Sequence, residues 1–281
     1  MTYFSIRAIP ATVLALTLTA CGGGGGGSSN STSAAATSSP ASSTPTTNTD
    51  WTTSGTAPTV TGANGAVAVV FAPDTLTSTG VSGTAITSAS VPLASQVQQS
   101  NYGGAFTTIV SGSTGVSLTK GSTISEVGGV GGYVAVGRWT KGSDSSGGNY
   151  NANQGAHYAI GSALTLTQGT QSLSCSALLS TSPTSVSGSV SPGSLVAATA
   201  TLNMSTLSLT NFSATVSIGT DTNATFTKAS APAGGEAFGG GVTVITRAMG
   251  SDPTKPLVAV AYGAHLPNTG DINGLVVLSC S

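Results

Sequence analysis

From Trp51 onward, short apolar runs alternate with turn-forming clusters: AVAVVF (66–71), YVAVGRWT (133–140), HYAIGSALTLT (157–167), SLSCSALL (172–179), VAATATLNM (196–204), LSLTNFSATVSI (207–218), GVTVITRAM (241–249), LVAVAYG (257–263) and GLVVLSCS (274–281). They are rich in Val, Ile, Leu and Thr and are cut off by Gly, Pro, Asn or polar stretches. No segment repeats apolar residues at i, i+3, i+4 and i+7 over three turns, so little helix is expected. The pattern predicts an all-β chain of short antiparallel strands, in a sandwich or barrel.

Period-two alternation assigns faces. In SLSCSALL, Leu173, Cys175, Ala177 and Leu179 share one face, with Ser172, Ser174 and Ser176 on the other. In LSLTNFSATVSI, Phe212, Ala214, Val216 and Ile218 line up, while Leu207 and Leu209 fall on the opposite parity. That conflict predicts a bulge near Asn211. In the last run Val276, Leu278 and Cys280 share a face.

Charge changes the picture. Lys and Arg number 7 and Asp and Glu 8 among 281 residues, for a net charge of −1. Soluble domains usually carry roughly 25% charged residues. With 38% hydrophobic residues the chain is not disordered through charge. It has no basic footprint for nucleic acid, so no nucleic-acid partner is expected. Edge strands without charge are poorly protected from mispairing, and closing the sheet removes them. We therefore expect a C-terminal eight-stranded up-and-down β-barrel over residues 151–281 and a smaller β-rich N-terminal region over 51–150. The division is placed in the polar stretch KGSDSSGGNYNANQG (141–155).

The first fifty residues differ in kind. Arg7 precedes an apolar stretch from Ala8 to Ala20, too short for a bilayer span of about 20 residues. Residues 1–20 therefore read as a signal peptide. The Gly/Ser/Thr/Pro-rich segment that follows, to residue 50, reads as a flexible tether spanning about 30 Å.

At the junction, Leu18-Thr19-Ala20-Cys21 resembles the bacterial lipobox. The resemblance implies a diacylglyceryl thioether on Cys21, cleavage before it and acylation, for example with palmitate, of the new amine. Several acyl chains hold a membrane firmly where one does not. Gly22 after the cysteine, rather than Asp, implies transit to the outer membrane. The alternative is ordinary secretion with Cys21 discarded or free.

A second resemblance lies in residues 133–281. HYAIGSALTLTQG, LSLTNFSATVSI and VAVAYGAHLPNTGDINGLVVLSC resemble the C-terminal barrel of bacterial surface lipoproteins related to transferrin-binding protein B. GRWTKG followed by HYAIG is similar to a module that precedes such barrels. The resemblance implies an iron-carrier or other protein ligand. Of that family's Gly-x-Phe-rich repeat, the chain keeps Glu236-Ala237-Phe238-Gly239.

Two cysteines remain, Cys175 on the first strand of the inferred barrel and Cys280 on the last. First and last strands of an up-and-down barrel are neighbours, and opposed Cα atoms lie about 4.5–5.5 Å apart, within disulfide reach. A Cys175–Cys280 disulfide is the expectation for an oxidising compartment; two buried thiols are the alternative.

Catalytic patterns are scarce. Gly80-Val81-Ser82-Gly83 lacks the spacing of a nucleophile elbow. Gly128-Gly129-Val130-Gly131-Gly132 is followed by no Lys-Ser/Thr and reads as a turn, not a phosphate loop. His157 and His265 stand apart without clustered ligands, so no metal or cofactor is expected. Arg138, Trp139 and His157 form a candidate recognition surface, weighed against Trp139 in a core and Arg138 reaching solvent or a carboxylate. His157 shares a small-residue face with Ala159, Gly161 and Ala163, which could border a cavity. The reading is an outer-membrane lipoprotein that binds a host protein, an iron carrier or another envelope component, and is not an enzyme. The alternatives are a structural or adhesive envelope protein and a hydrolase using Glu126 with Glu236.

Overall fold

A computed structural model describes residues 50–99 and 103–281; the leader, Cys21 and the tether up to residue 49 lie outside the described residues. The body is nearly all β-structure. Its two large sheets contain β1 (Thr52–Gly55), β2 (Ala66–Ala72), β3 (Ile86–Pro92), β4 (Thr123–Val130), β5 (Val134–Thr140), β6 (Ala156–Ser162), β7 (Ser172–Ser180), β8 (Ser194–Asn203), β9 (Ser208–Ile218), β10 (Asp221–Pro232), β11 (Gly234–Ala237), β12 (Val242–Met249), β13 (Leu257–Leu266) and β14 (Gly270–Cys280). A single helical turn, Leu93–Ser95, interrupts the described strands.

The first sheet has the order β1-β4-β5-β6-β2-β3. It is antiparallel except for the β1–β4 pair. The second is antiparallel in the order β10-β9-β8-β7-β14-β13-β12-β11, with the short strand Thr184–Ser185 also on β14. It curls into a half-barrel. The strand order is that of an up-and-down barrel: β7, its first strand, lies beside β14, its last. No ladder joins β10 to β11 or β12. There the seam is spanned by side chains. The buried Lys228 ammonium donates to the carbonyls of Phe238, Gly239 and Val242 at 2.9, 2.6 and 2.8 Å, and the Thr246 hydroxyl donates to the carbonyls of Pro232 and Gly235.

The burial patterns follow from layering. In β9 buried and part-exposed residues alternate, as one face lines the half-barrel and the other meets water. Leu209 and Phe212 both reach the interior because a bulge lies between them. Asn211, in that bulge, has φ 53°, so the predicted irregularity is present. The β12–β14 part is covered on both faces. Its inner face carries Val244, Val260 and Val276. Its outer face carries Ile245, Ala259, Ala261 and Val277, packed against Ala68, Val70, Val136 and Ala159 of the first sheet. The first sheet's other face holds Phe71, Trp139 and Tyr158 against Phe106 and Ile109. These last two belong to a third, three-stranded sheet of Val97–Gln99, Ala105–Ser111 and Thr114–Ser117. A strand buried on both sides reads as a continuous apolar run, as LVAVAYGAHL does.

Two sequence expectations are corrected. The change from one sheet to the other falls between Ser162 and Ser172, not in 141–155. β6, which contains HYAIG, pairs with β5 and β2 at the centre of the first sheet. In β7 a bulge between Ala177 and Leu179 breaks the alternation. Leu179 thereby turns to the inter-sheet core, while Ala177 stays exposed.

Cys175 and Cys280 stand opposite each other in the β7–β14 register. They form a disulfide, with Cα atoms 4.0 Å apart, inside the half-barrel core.

Candidate functional site

A buried polar cluster sits between the first sheet and the half-barrel. Arg138 on β5 and His157 on β6 are cross-strand partners. A bulge in β4 places Glu126, at φ 58°, opposite this pair. Arg138 Nε and Nη2 both donate to Glu126 Oε1, at 3.2 and 2.8 Å. Arg138 Nη1 donates to the Gln154 carbonyl at 3.1 Å. The second Glu126 oxygen accepts the Ser182 amide at 2.7 Å. Burial opposes ionisation of Glu126, but the bonds and charge of Arg138, with the Ser182 amide, outweigh it and hold the carboxyl below its ordinary range.

His157 is wholly buried. Its Nδ1 meets Thr181 Oγ1 at 2.7 Å, and its Nε2 meets Asn273 Oδ1 at 3.1 Å and Thr184 Oγ1 at 3.2 Å. The tautomer follows from Asn273. Its Nδ2 donates to the carbonyls of Asp74 and Pro73, at 2.7 and 3.4 Å, so Oδ1 can only accept. Nε2 therefore carries the proton, and the neutral ring accepts at Nδ1 from Thr181. Burial first, then the Arg138 charge, pushes the pKa down to about 4, against opposing contributions from Glu126 and the Asn273 bond. With both ring nitrogens bonded and no exposure, His157 positions the sheets on each other.

Asn273 links this cluster to a cleft of about 200 Å³ lined by Asp74, Thr75, Ser82, Asp144, Ser146 and neighbouring loop residues. Asp144 is saturated. One oxygen accepts from the amides of Ser146 and Gly148 and from the Ser146 hydroxyl; the other accepts from the Tyr150 hydroxyl. Burial and then the Asp144 charge push the Asp74 pKa up to about 6, although its own and the Thr75 amide favour ionisation. A second recess, about 290 Å³, lies beside the half-barrel seam and includes Leu164, Leu166, Pro232 and Arg247.

The candidate recognition surface is not a surface. Arg138 is 5% exposed, and Trp139 and His157 are 0%. Packing of a layer on each face of the first sheet buries them on opposite sides. The Trp139 indole donates to the Phe106 carbonyl at 2.9 Å, and its ring lies 5.1 Å from that of Phe71. Glu126 and Glu236 lie in different sheets, with Glu236 exposed on β11. His265 is paired with Asp271 at 3.4 Å on the exposed end of β13. Among the described residues no three His, Cys, Asp or Glu side chains gather to hold a metal. Sequence reasoning missed Asn273 and Asp74, whose roles depend on contacts 199 residues apart. It also missed Lys228, although its inward parity with Phe226 was a usable signal.

The chain matches no family model, no curated protein and no solved structure.

Proposed function

We propose that the protein is a lipoprotein of the outer membrane, tethered through Cys21, whose β-rich body acts as a binding module. The observation that carries the reading is the sequence Leu18-Thr19-Ala20-Cys21 at the end of an apolar leader. The Cys175–Cys280 disulfide supports it, since such bonds persist in oxidising compartments. The half-barrel agrees with the resemblance to transferrin-binding protein B, and a protein or iron carrier is the ligand class that resemblance implies. Labelled palmitate incorporated into the exported chain, and lost in Cys21→Ser, tests the anchor; equal label in both forms refutes it. Capture of a defined envelope or host protein by the purified body, and not by a reduced and unfolded sample, tests the binding role.

A structural or adhesive role is the second reading. It is favoured by the outer face of β7–β10, where Ser176, Thr199, Ser213 and Thr227 form one cross-strand row. Ser174, Thr201, Thr210 and Ser230 form the next. Loss of surface attachment in a deletion strain with unchanged nutrient uptake would favour this reading.

A further inference from the structure

Arg247 stands apart from the three ion pairs found among the described residues. It lies on β12 at the recess beside the seam, and among the described residues no carboxylate forms an ion pair with it. Its side-chain bonds go to one atom: Nε and Nη2 donate to Thr87 Oγ1 at 3.3 and 3.1 Å. A guanidinium offers five N–H donors, so the edge that includes Nη1 has donors to spare. Burial lowers the Arg247 pKa, and no charged neighbour contributes to the shift.

The recess around it is otherwise mostly apolar. Leu164 and Leu166 come from the link between the sheets, Leu207 from the turn before β9, Pro232 from the end of β10 and Ala233 from the link to β11. Gly234 makes room for the guanidinium: a Cβ at that position would come within 2.6 Å of Arg247 Nη1. The planar group therefore packs against the β11 backbone where it borders the recess. An apolar wall with one oriented polar group is the usual build of a small-molecule site. A planar fork matches a carboxylate in two parallel hydrogen bonds.

We propose that this recess binds a short aliphatic monocarboxylate, its chain against Leu164, Leu166 and Pro232 and its carboxylate on the free edge of Arg247. Charge complementarity selects the anion. The recess, about 290 Å³ and open to solvent on one side, has room for a chain of octanoate's size. The site does not depend on how the chain is anchored.

The test is calorimetric titration of octanoate into the full chain bearing Cys21→Ser, with octan-1-ol and octylammonium as chain-matched controls. Saturable binding of one octanoate per chain is expected, with both controls at least tenfold weaker. Arg247→Met should weaken octanoate tenfold or more and leave octan-1-ol unchanged; Leu166→Trp, which fills the recess, should abolish both. Should Arg247→Met fail to fold, Leu166→Trp and Arg247→Lys decide, the latter keeping the charge and losing the fork. No saturable octanoate binding, equal affinity for octan-1-ol, or affinity unaltered in the recess variants overturns the proposal. A failed palmitate label would leave this result untouched, because every titration uses the unlipidated chain.

Discussion

His157 and Asn273, 116 residues apart in sequence, meet through one hydrogen bond of 3.1 Å between Nε2 and Oδ1. The pair joins the centre of the first sheet to the last strand of the half-barrel. Asn273 also holds the carbonyls of Asp74 and Pro73. Replacing it by Leu conserves much of the volume but takes the side-chain donor from the Asp74 carbonyl and the acceptor from the Thr184 hydroxyl, and leaves His157 Nε2–H with Thr184 Oγ1 alone. Buried unsatisfied groups cost about 1–3 kcal/mol each, less where water relaxes in. Asn273→Leu should lose about 3 kcal/mol in urea unfolding, with the denaturant slope unchanged.

Asp74 and His157 act on stability with opposite sign. The folded His157 pKa is about 4 against 6.5 unfolded, so the unfolded chain binds the extra proton between those values. This contribution is present above pH 6.5 and is lost as pH falls toward 4. The folded Asp74 pKa is about 6 against 3.8. The folded chain then holds the extra proton, and its stabilisation is lost as pH rises through 6. Between about pH 4 and 6 the two nearly cancel. Asp74→Asn should remove one side of the balance. It should stabilise the protein at pH 7 by about 1–2 kcal/mol, a figure reduced for solvent screening. The stability of Asp74→Asn relative to wild type should then fall steadily on acidification. Parallel pH–stability curves for wild type and Asp74→Asn would refute the compensation.

The disulfide was legible because three independent signals converged on it. Alternation put Cys175 and Cys280 on apolar faces, the strand order made their strands neighbours, and the inferred compartment allowed oxidation. The bulge at Asn211 was legible for a similar local reason, a parity conflict within one run. Long-range pairing was not. HYAIG reads as a strand in either sheet, and nothing near it in sequence shows that His157 pairs with Ala72. Arg138 and His157 misled because β5 and β6 are buried on both faces. In such strands a polar residue does not mark the solvent side; it marks a position where layers meet and a partner waits.

The cross-link should matter through the unfolded chain. Cys175 and Cys280 close a loop with a sequence separation of 105, for which the entropy model gives about 4–5 kcal/mol. Cys175→Ser with Cys280→Ser should lower the unfolding midpoint accordingly, while backbone circular dichroism at low temperature keeps its β signature. Thiol alkylation before reduction should leave both cysteines of the wild type unlabelled.

Lys228 provides a test of how the half-barrel is held at its open seam. Its ammonium serves three carbonyls from the chain around β11 and β12. Lys228→Met keeps the apolar stem but leaves those carbonyls to water. If the ammonium holds the seam, the loss should be local: about 2 kcal/mol in global stability, with a larger relative rise in hydrogen exchange nearby. The reporter is the Ala248 amide, which donates across the seam region to the Ala233 carbonyl. Its exchange should rise well above that of amides in the β7–β14 ladder. Lys228→Arg, which retains the charge and several donors, should recover part of the protection. Were Thr246 and its bonds to Pro232 and Gly235 sufficient alone, Ala248 would exchange in Lys228→Met at the wild-type rate, and the ammonium would not be the clasp.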